Sequence, residues 1–268
     1  MNDQDRMAGM FMFTLLLFLQ LISGVVGVED SALITEDTAR IAFLDLTEGE
    51  ATLIRTEENH NFLINTGSPE SYQELKQQLD ALHVKDIDAI FLTHQSKDYC
   101  GNVKKLIDSY HSETVYHAGK KQTGCFQKIK SDLHTIKLDE QEKKDLDDVK
   151  LKVIYTDDEK MAIHVTYHST GVIFFATGTI EEELHILKQH LTFQIIKIGD
   201  YGQGKAPSER FLHDTDPHIA VVFQMKGTTI NDGLIERMQE LWMDVYRMKQ
   251  TGTLIIDINE EEYFIPAD

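Results

Sequence analysis

This sequence is short of positive charge. Against 45 aspartates and glutamates it sets 26 lysines and arginines, a formal net charge of −19. A polyanion of that strength repels DNA, RNA and anionic lipid at long range, so nucleic acid is disfavoured as a partner unless a local basic patch exists. The densest basic runs, Lys120-Lys121 and Lys143-Lys144, are short, and acids lie near the second. The plain consequence of the acidity is solubility. Cysteine is scarce too: Cys100 and Cys125 are the only two. They either form one disulfide, closing a loop of about 25 residues worth roughly 3 kcal/mol in the chain-entropy account, or stay as two partly buried thiols. Spacing alone does not put their α-carbons within bridging distance. No P-loop, dinucleotide fingerprint or nucleophile elbow is present, and the three glycines between Gly199 and Gly204 have the wrong spacing to cradle a phosphate.

One long apolar run is there. Residues 7–28 (MAGMFMFTLLLFLQLISGVVGV) follow a short polar leader containing Arg6, and about 20 such residues suffice to cross a bilayer. The densest part, Phe11 to Leu19, is followed by the small residues Ser23, Gly24 and Gly27, the pattern of a signal-peptide cleavage region. Asp3 and Asp5 weaken the leader's positive charge. Residues 1–28 are therefore a cleaved signal peptide or a retained membrane anchor. Either way residues 29–268 are expected outside the cytoplasm, secreted or held at the cell membrane by residues 7–28. Hydrophobic residues make up 41% of the chain, enough for a packed core.

From residue 29 onward the pattern alternates strands and helices without a long linker. Ile41 to Leu46, Ala51 to Thr56 and Asn61 to Asn65 read as short strands. Ser68-Pro69 opens a helix with Leu75, Leu79 and Leu82 on one face, Ser68 as its cap. Asp88 to Thr93 is apolar enough for a strand buried on both faces, and a helix through Val103, Leu106 and Ile107 follows its loop. Residues 119–149, rich in Lys, Asp and Glu, are expected as a surface excursion. The second half follows a similar order. Leu151 to Tyr155, Ala162 to Tyr167 and Val172 to Ala176 read as strands. A capping box at Thr179-Ile180-Glu181-Glu182 opens a helix with Leu184, Leu187 and Leu191, and a buried strand runs from Phe193 to Ile198. Beyond it come a helix near Ser208 to Leu212, strand Ile219 to Phe223, helix Gly233 to Trp242, and strands Thr253 to Ile258 and Tyr263 to Ile265. This order predicts one α/β domain with two mixed sheets sandwiched between helices, and places any site in the loops after Asn65, Thr93, Ala176 and Ile198.

The loop after Thr93 reads Thr-His-Gln-Ser-Lys-Asp-Tyr-Cys-Gly-Asn from Thr93 to Asn102. It resembles the Thr-His-x-His-x-Asp-His-x-Gly-Gly signature of metallo-β-lactamase-fold hydrolases, in which one tight loop presents imidazoles and a carboxylate to two zinc ions. Leu44 to Ala51 resembles the Leu-Asp-Val-Gly-Gln-Gly-Asp-Ala opening of the domain at the C-terminal end of ComEC-type competence proteins. Asn65-Thr66-Gly67, Ala176-Thr177-Gly178-Thr179 and Gly199-Asp200-Tyr201-Gly202 stand where that branch has Asp-x-Gly, Leu-Thr-Gly-Asp and Pro-His-His-Gly. The resemblance covers residues 41 to 258 and implies a four-layer αββα sandwich.

The departures from the motif are chemical. His94 and Asp98 match, but the second His position is Ser96 and the final one Tyr99. The bridging carboxylate has become Thr179, the last imidazole Asp200 or Tyr201 according to alignment, and the acid before the first helix Asn65. Hydroxyls are poor zinc donors and a catalytic zinc takes three protein ligands. The expectation is thus a catalytically degenerate protein that acts by binding, without a cofactor. The alternative is a phosphodiesterase-like hydrolase with one zinc or manganese ion on His94, Asp98 and Asp200, in which Asp98 or a metal-bound water is the base. Each residue also has a structural reading: His94 as a hydrogen-bonded strand-end histidine, Asp98 and Thr179 as helix caps, Asp200 as a turn residue. His164 and His168 lie too far apart along a strand, roughly 13 Å, to chelate one ion.

Overall fold

Strands enter this domain in two sets that follow the same course, an antiparallel meander and then parallel strands reached through helices. The computed structural model describes residues 38–119, Cys125 and residues 134–266. In the first set β1 (Ala39–Leu44), β2 (Ala51–Arg55) and β3 (Asn61–Ile64) form the meander. Helix α1 (Tyr72–Ala81) leads to β4 (Ala89–Leu92), and α2 (Lys97–Cys100) and α3 (Val103–Tyr110) lead to β5 (Thr114–His117) and β6 (His134–Lys137), all parallel to β3. In the second set the meander is β7 (Lys143–Leu146), β8 (Val149–Asp157), β9 (Lys160–Tyr167) and β10 (Thr170–Phe174). Through α4 (Ile180–Leu187), α5 (Glu209–Thr215) and α6 (Asp232–Glu240) the chain adds β11 (Ile195–Lys197), β12 (Ile219–Val222) and β13 (Asp244–Arg247) in parallel. After α7 (Met248–Thr251), strands β14 (Leu254–Ile258) and β15 (Tyr263–Phe264) return to the first sheet beside β1. Among the described residues the sheets have eight and seven strands.

The alternation of side chains along each strand builds the layers. In β1, Ala39, Ile41 and Phe43 face the core between the sheets, where they join Val172, Phe174 and Val221. Ala42 and Leu44 face the other way, onto Leu75 and Leu79 of α1 and Val103 and Leu106 of α3. The second sheet is covered likewise by Ile186 of α4, Phe211 of α5 and Leu234 and Met238 of α6. Both sheets are therefore buried on both faces, which is why β4 reads as the unbroken apolar run Ala-Ile-Phe-Leu. The result is the expected αββα sandwich.

Three local expectations are corrected. Residues 119–149 are not all excursion, because β6, β7 and the start of β8 lie within them. Strands β6 and β7 are the outermost strands of their sheets, where charged side chains are normal, and their Lys and Asp content hides them. Strand β13, the other edge of the second sheet, is hidden for the same reason. Ser68 stands at the start of a short 3₁₀ turn, Pro69–Ser71, and its hydroxyl caps nothing. The apolar segment 7–28, and with it the signal-or-anchor expectation, lies outside the described residues. Among the described residues no helix is long and apolar enough to cross a membrane.

One ion pair joins the two sheets through the core. Glu50, at the head of β2, meets Lys197, at the end of β11, with Nζ and Oε1 2.6 Å apart and both side chains 1% exposed. Lys197 also donates to the carbonyl of Phe175 at 3.3 Å and lies over the ring of Tyr99, 5.8 Å from its centre. Burial pushes the Glu50 carboxyl up, with Lys197 pulling it back; its Oε2 has no hydrogen-bond partner. Removing one member of such a pair strands a buried charge and costs about 3–5 kcal/mol, whereas replacing both by apolar groups costs far less. Chemical denaturation should therefore show Lys197→Met destabilised by about that amount, with Glu50→Leu/Lys197→Met closer to wild type than either single variant.

Candidate functional site

The four loops that the sequence singles out come together at the carboxyl ends of β3, β4, β10 and β11. Asn65, in the left-handed region at φ 61, ends β3 and points its amide across to the next loop. Its Nδ2 donates to Glu50 Oε1 at 2.9 Å, and its Oδ1 accepts the Thr93 N–H at 2.8 Å. The backbone is tight here. Gly49 has φ +84, and a Cβ on it would sit 2.2 Å from the carbonyl of Asp98, so the loop before β2 can pass only as glycine. Thr66 N–H donates to the carbonyl of Tyr99 at 2.6 Å, fixing the first loop to the second.

His94 is 5% exposed and stacks on Tyr99, ring centres 3.9 Å apart and planes 12° apart. Its Nδ1 lies 3.2 Å from Thr93 Oγ1. Burial, reinforced by the ammonium groups of Lys197 and Lys160, holds its pKa well below the usual range, so the imidazole is neutral. Asp98 is half-buried and accepts a hydrogen bond from the Tyr201 hydroxyl at 2.7 Å. Burial raises the pKa of both Tyr99 and Tyr201, keeping the phenols protonated. Tyr201 adopts φ 53 and turns inward, its ring 5.5 Å from that of Tyr99.

Asp200 goes the other way. With φ 46 it opens the same turn, and its side chain is exposed. Of the two alignments open for the last ligand position, the fold thus brings Tyr201 to the site and leaves Asp200 at the surface. His94, Asp98 and Asp200 are not gathered as a ligand set: among the described residues no three His, Cys, Asp or Glu side chains are placed to hold one metal ion. Asp98 does not cap its helix either; Ser96 holds the N-cap position of α2, and Asn102 that of α3.

Thr179 does cap α4, its Oγ1 accepting the Glu182 N–H at 3.3 Å. The other half of the expected capping box is absent. Glu182, fully buried, accepts instead the N–H groups of Ala176 at 2.6 Å and Thr177 at 2.7 Å and the Thr177 hydroxyl at 2.6 Å. Those two amides follow β10 and would otherwise be buried donors without a partner. Burial raises the Glu182 carboxyl, and these hydrogen bonds oppose the rise.

Cys100, at the end of α2, is bonded to Cys125 with α-carbons 5.9 Å apart, so the disulfide alternative holds. His117, at the end of β5, turns its Nδ1 to the carbonyl of Ala118 at 3.0 Å. Glu50, Lys197 and Glu182 are not among the sequence candidates. A lysine among the isoleucines Ile195, Ile196 and Ile198 is the available signal, because a lysine there needs a partner.

As a metal centre the donor set does not fit. The positions of three imidazoles and a bridging carboxylate hold Ser96, Tyr99, Tyr201 and Thr179, the remaining imidazole is stacked on Tyr99, and the remaining carboxylate is engaged by Tyr201. What the arrangement does is close the sheet ends with a hydrogen-bonded plug.

Two outcomes follow. His94 and His164, the latter lowered to about 4 chiefly by burial, must take up protons on unfolding below their ordinary value near 6.5. A lowered histidine stabilises the fold above the unfolded value, and that stability is lost as pH falls. Unfolding free energy should drop between pH 7 and pH 5, with about 2 kcal/mol of the drop removed by His164→Gln. Replacing both cysteines with serine should lower stability by about 3 kcal/mol in the same denaturation assay.

The profile of the metallo-beta-lactamase superfamily matches residues 44–175. No curated protein sequence matches the chain. Among solved structures the fold is similar to the metallo-beta-lactamase fold protein YhfI from Bacillus subtilis, with TM-score 0.62 and 13% identity over 83% of this chain and 100% of that one. It is also similar to a mutant of the CmlA beta-hydroxylase, with TM-score 0.57 and 12% identity over 85% of this chain and 55% of that one. At these identities the likeness is one of fold. Its matched segment and its two mixed sheets flanked by helices give this chain a metallo-beta-lactamase superfamily domain.

Proposed function

We propose that this protein is a catalytically degenerate member of the metallo-β-lactamase fold, related to the ComEC-type competence branch and placed outside the cytoplasm by residues 7–28, and that it acts by binding rather than hydrolysis. The observation that carries the reading is the Tyr201–Asp98 hydrogen bond. A metal-dependent hydrolase of this fold needs Asp98 as an open donor and an imidazole at the position Tyr201 takes. Here a phenol held protonated by burial spends its hydrogen on that carboxylate. Thr179 supports the same reading, because a helix-capping hydroxyl cannot bridge two cations as a carboxylate does.

The test is metal content and turnover of the purified full chain. Elemental analysis should give substoichiometric zinc and manganese, titration with either ion should show no tight site, and phosphodiester and ester substrates should show no metal-stimulated hydrolysis. Stoichiometric metal that is lost together with a hydrolytic activity in Asp98→Ala would overturn the proposal and restore the one-metal hydrolase reading.

A further inference from the structure

The outer face of the second sheet carries a groove that the ligand loops do not use. It lies between α4 and α5, has a volume of about 630 Å³, and is floored by Leu184, Leu187, Leu191 and Phe193. The three leucines recur at helical spacing on and just beyond α4. Leu184 is 46% exposed and Leu187 and Leu191 are half-buried, although Ile186 beside them is fully packed. An amphipathic helix normally buries such a stripe.

The rim has the opposite charge to the protein as a whole. Lys188, His190 and Arg210 stand around the groove against one acid, Asp214, on a chain of net charge −19. Arg210 engages Asp214 through Nε alone, at 3.4 Å, leaving its Nη groups available; the Lys188 ammonium has no partner among the described residues. The groove beside the β8–β9 turn is lined the other way, by Asp139, Asp157, Asp158 and Glu159 against Lys137 and Lys160.

An apolar floor, unengaged cationic donors at the rim and a volume in the range of small-ligand sites define an amphiphile with an anionic head. Two short helices wall the groove. We propose that it binds a single-chain, long-chain carboxylate, with the alkyl chain along Leu184, Leu187 and Leu191 and the carboxylate at Lys188 and Arg210. The inference is independent of whether the ligand loops take a metal.

The test uses the full chain held in amphipol and two photoreactive probes, a diazirine-bearing hexadecanoic acid and its methyl ester, with crosslinks mapped by mass spectrometry. The acid should label the segments 184–191 and 210–215, and unlabelled hexadecanoate should compete. Lys188→Glu/Arg210→Glu should lower that labelling about tenfold or more, the loss expected from two charge-assisted contacts, with an unchanged thermal unfolding midpoint. Leu184→Glu, at an exposed position, should lower it as well. Equal labelling of the groove by the ester would overturn recognition of the head. Absence of groove labelling, including label confined to residues 7–28, would overturn the site.

Discussion

A lysine and a glutamate, both sealed from water, fix the geometry of everything around them. Separate, each would be a charge in an apolar core; paired at 2.6 Å they tie the head of β2 in one sheet to the end of β11 in the other. The pair also orders the site. Glu50 Oε1 accepts the amide of Asn65, which in turn holds the Thr93 backbone, so the loops after β3 and β4 are positioned from the same carboxylate. Lys197 reaches the ring of Tyr99 and the carbonyl of Phe175, which brings in the loop after β10.

The closure of the ligand loops follows from that positioning. With Tyr99 fixed over the ammonium, His94 stacks on its face and is too well buried to carry a charge. Tyr201 then fills the remaining gap and finds its acceptor in Asp98. A metal centre needs ligands with lone pairs free to converge on an empty point. These side chains converge on one another. The disulfide between Cys100 and Cys125 secures the same loop from its outer side.

Much of this is legible in the sequence because it rests on short-range rules. The unbroken apolar run of β4 announces a sheet covered on both faces, the order of the loop motifs announces the sandwich, and Thr179 announces its cap. What is not legible depends on contacts across the fold. Edge strands β6, β7 and β13 carry charged residues because one side meets solvent, so their composition reads as loop. Whether Asp200 or Tyr201 enters the site is decided by two successive left-handed residues, a backbone choice with no composition signal. Glu182 looks like half of a capping box, yet the amides after β10 are the more demanding donors.

The loops around His94, Asp98 and Tyr201 form a closed hydrogen-bonded plug, and the proposal that they hold no metal centre rests on that closure. The most direct measurement is anomalous diffraction at the zinc edge from crystals of the protein grown with excess zinc. The plug predicts no anomalous peak between these loops and an intact Tyr201–Asp98 hydrogen bond. Two peaks a few ångströms apart beside His94, with Tyr201 swung away, would contradict it.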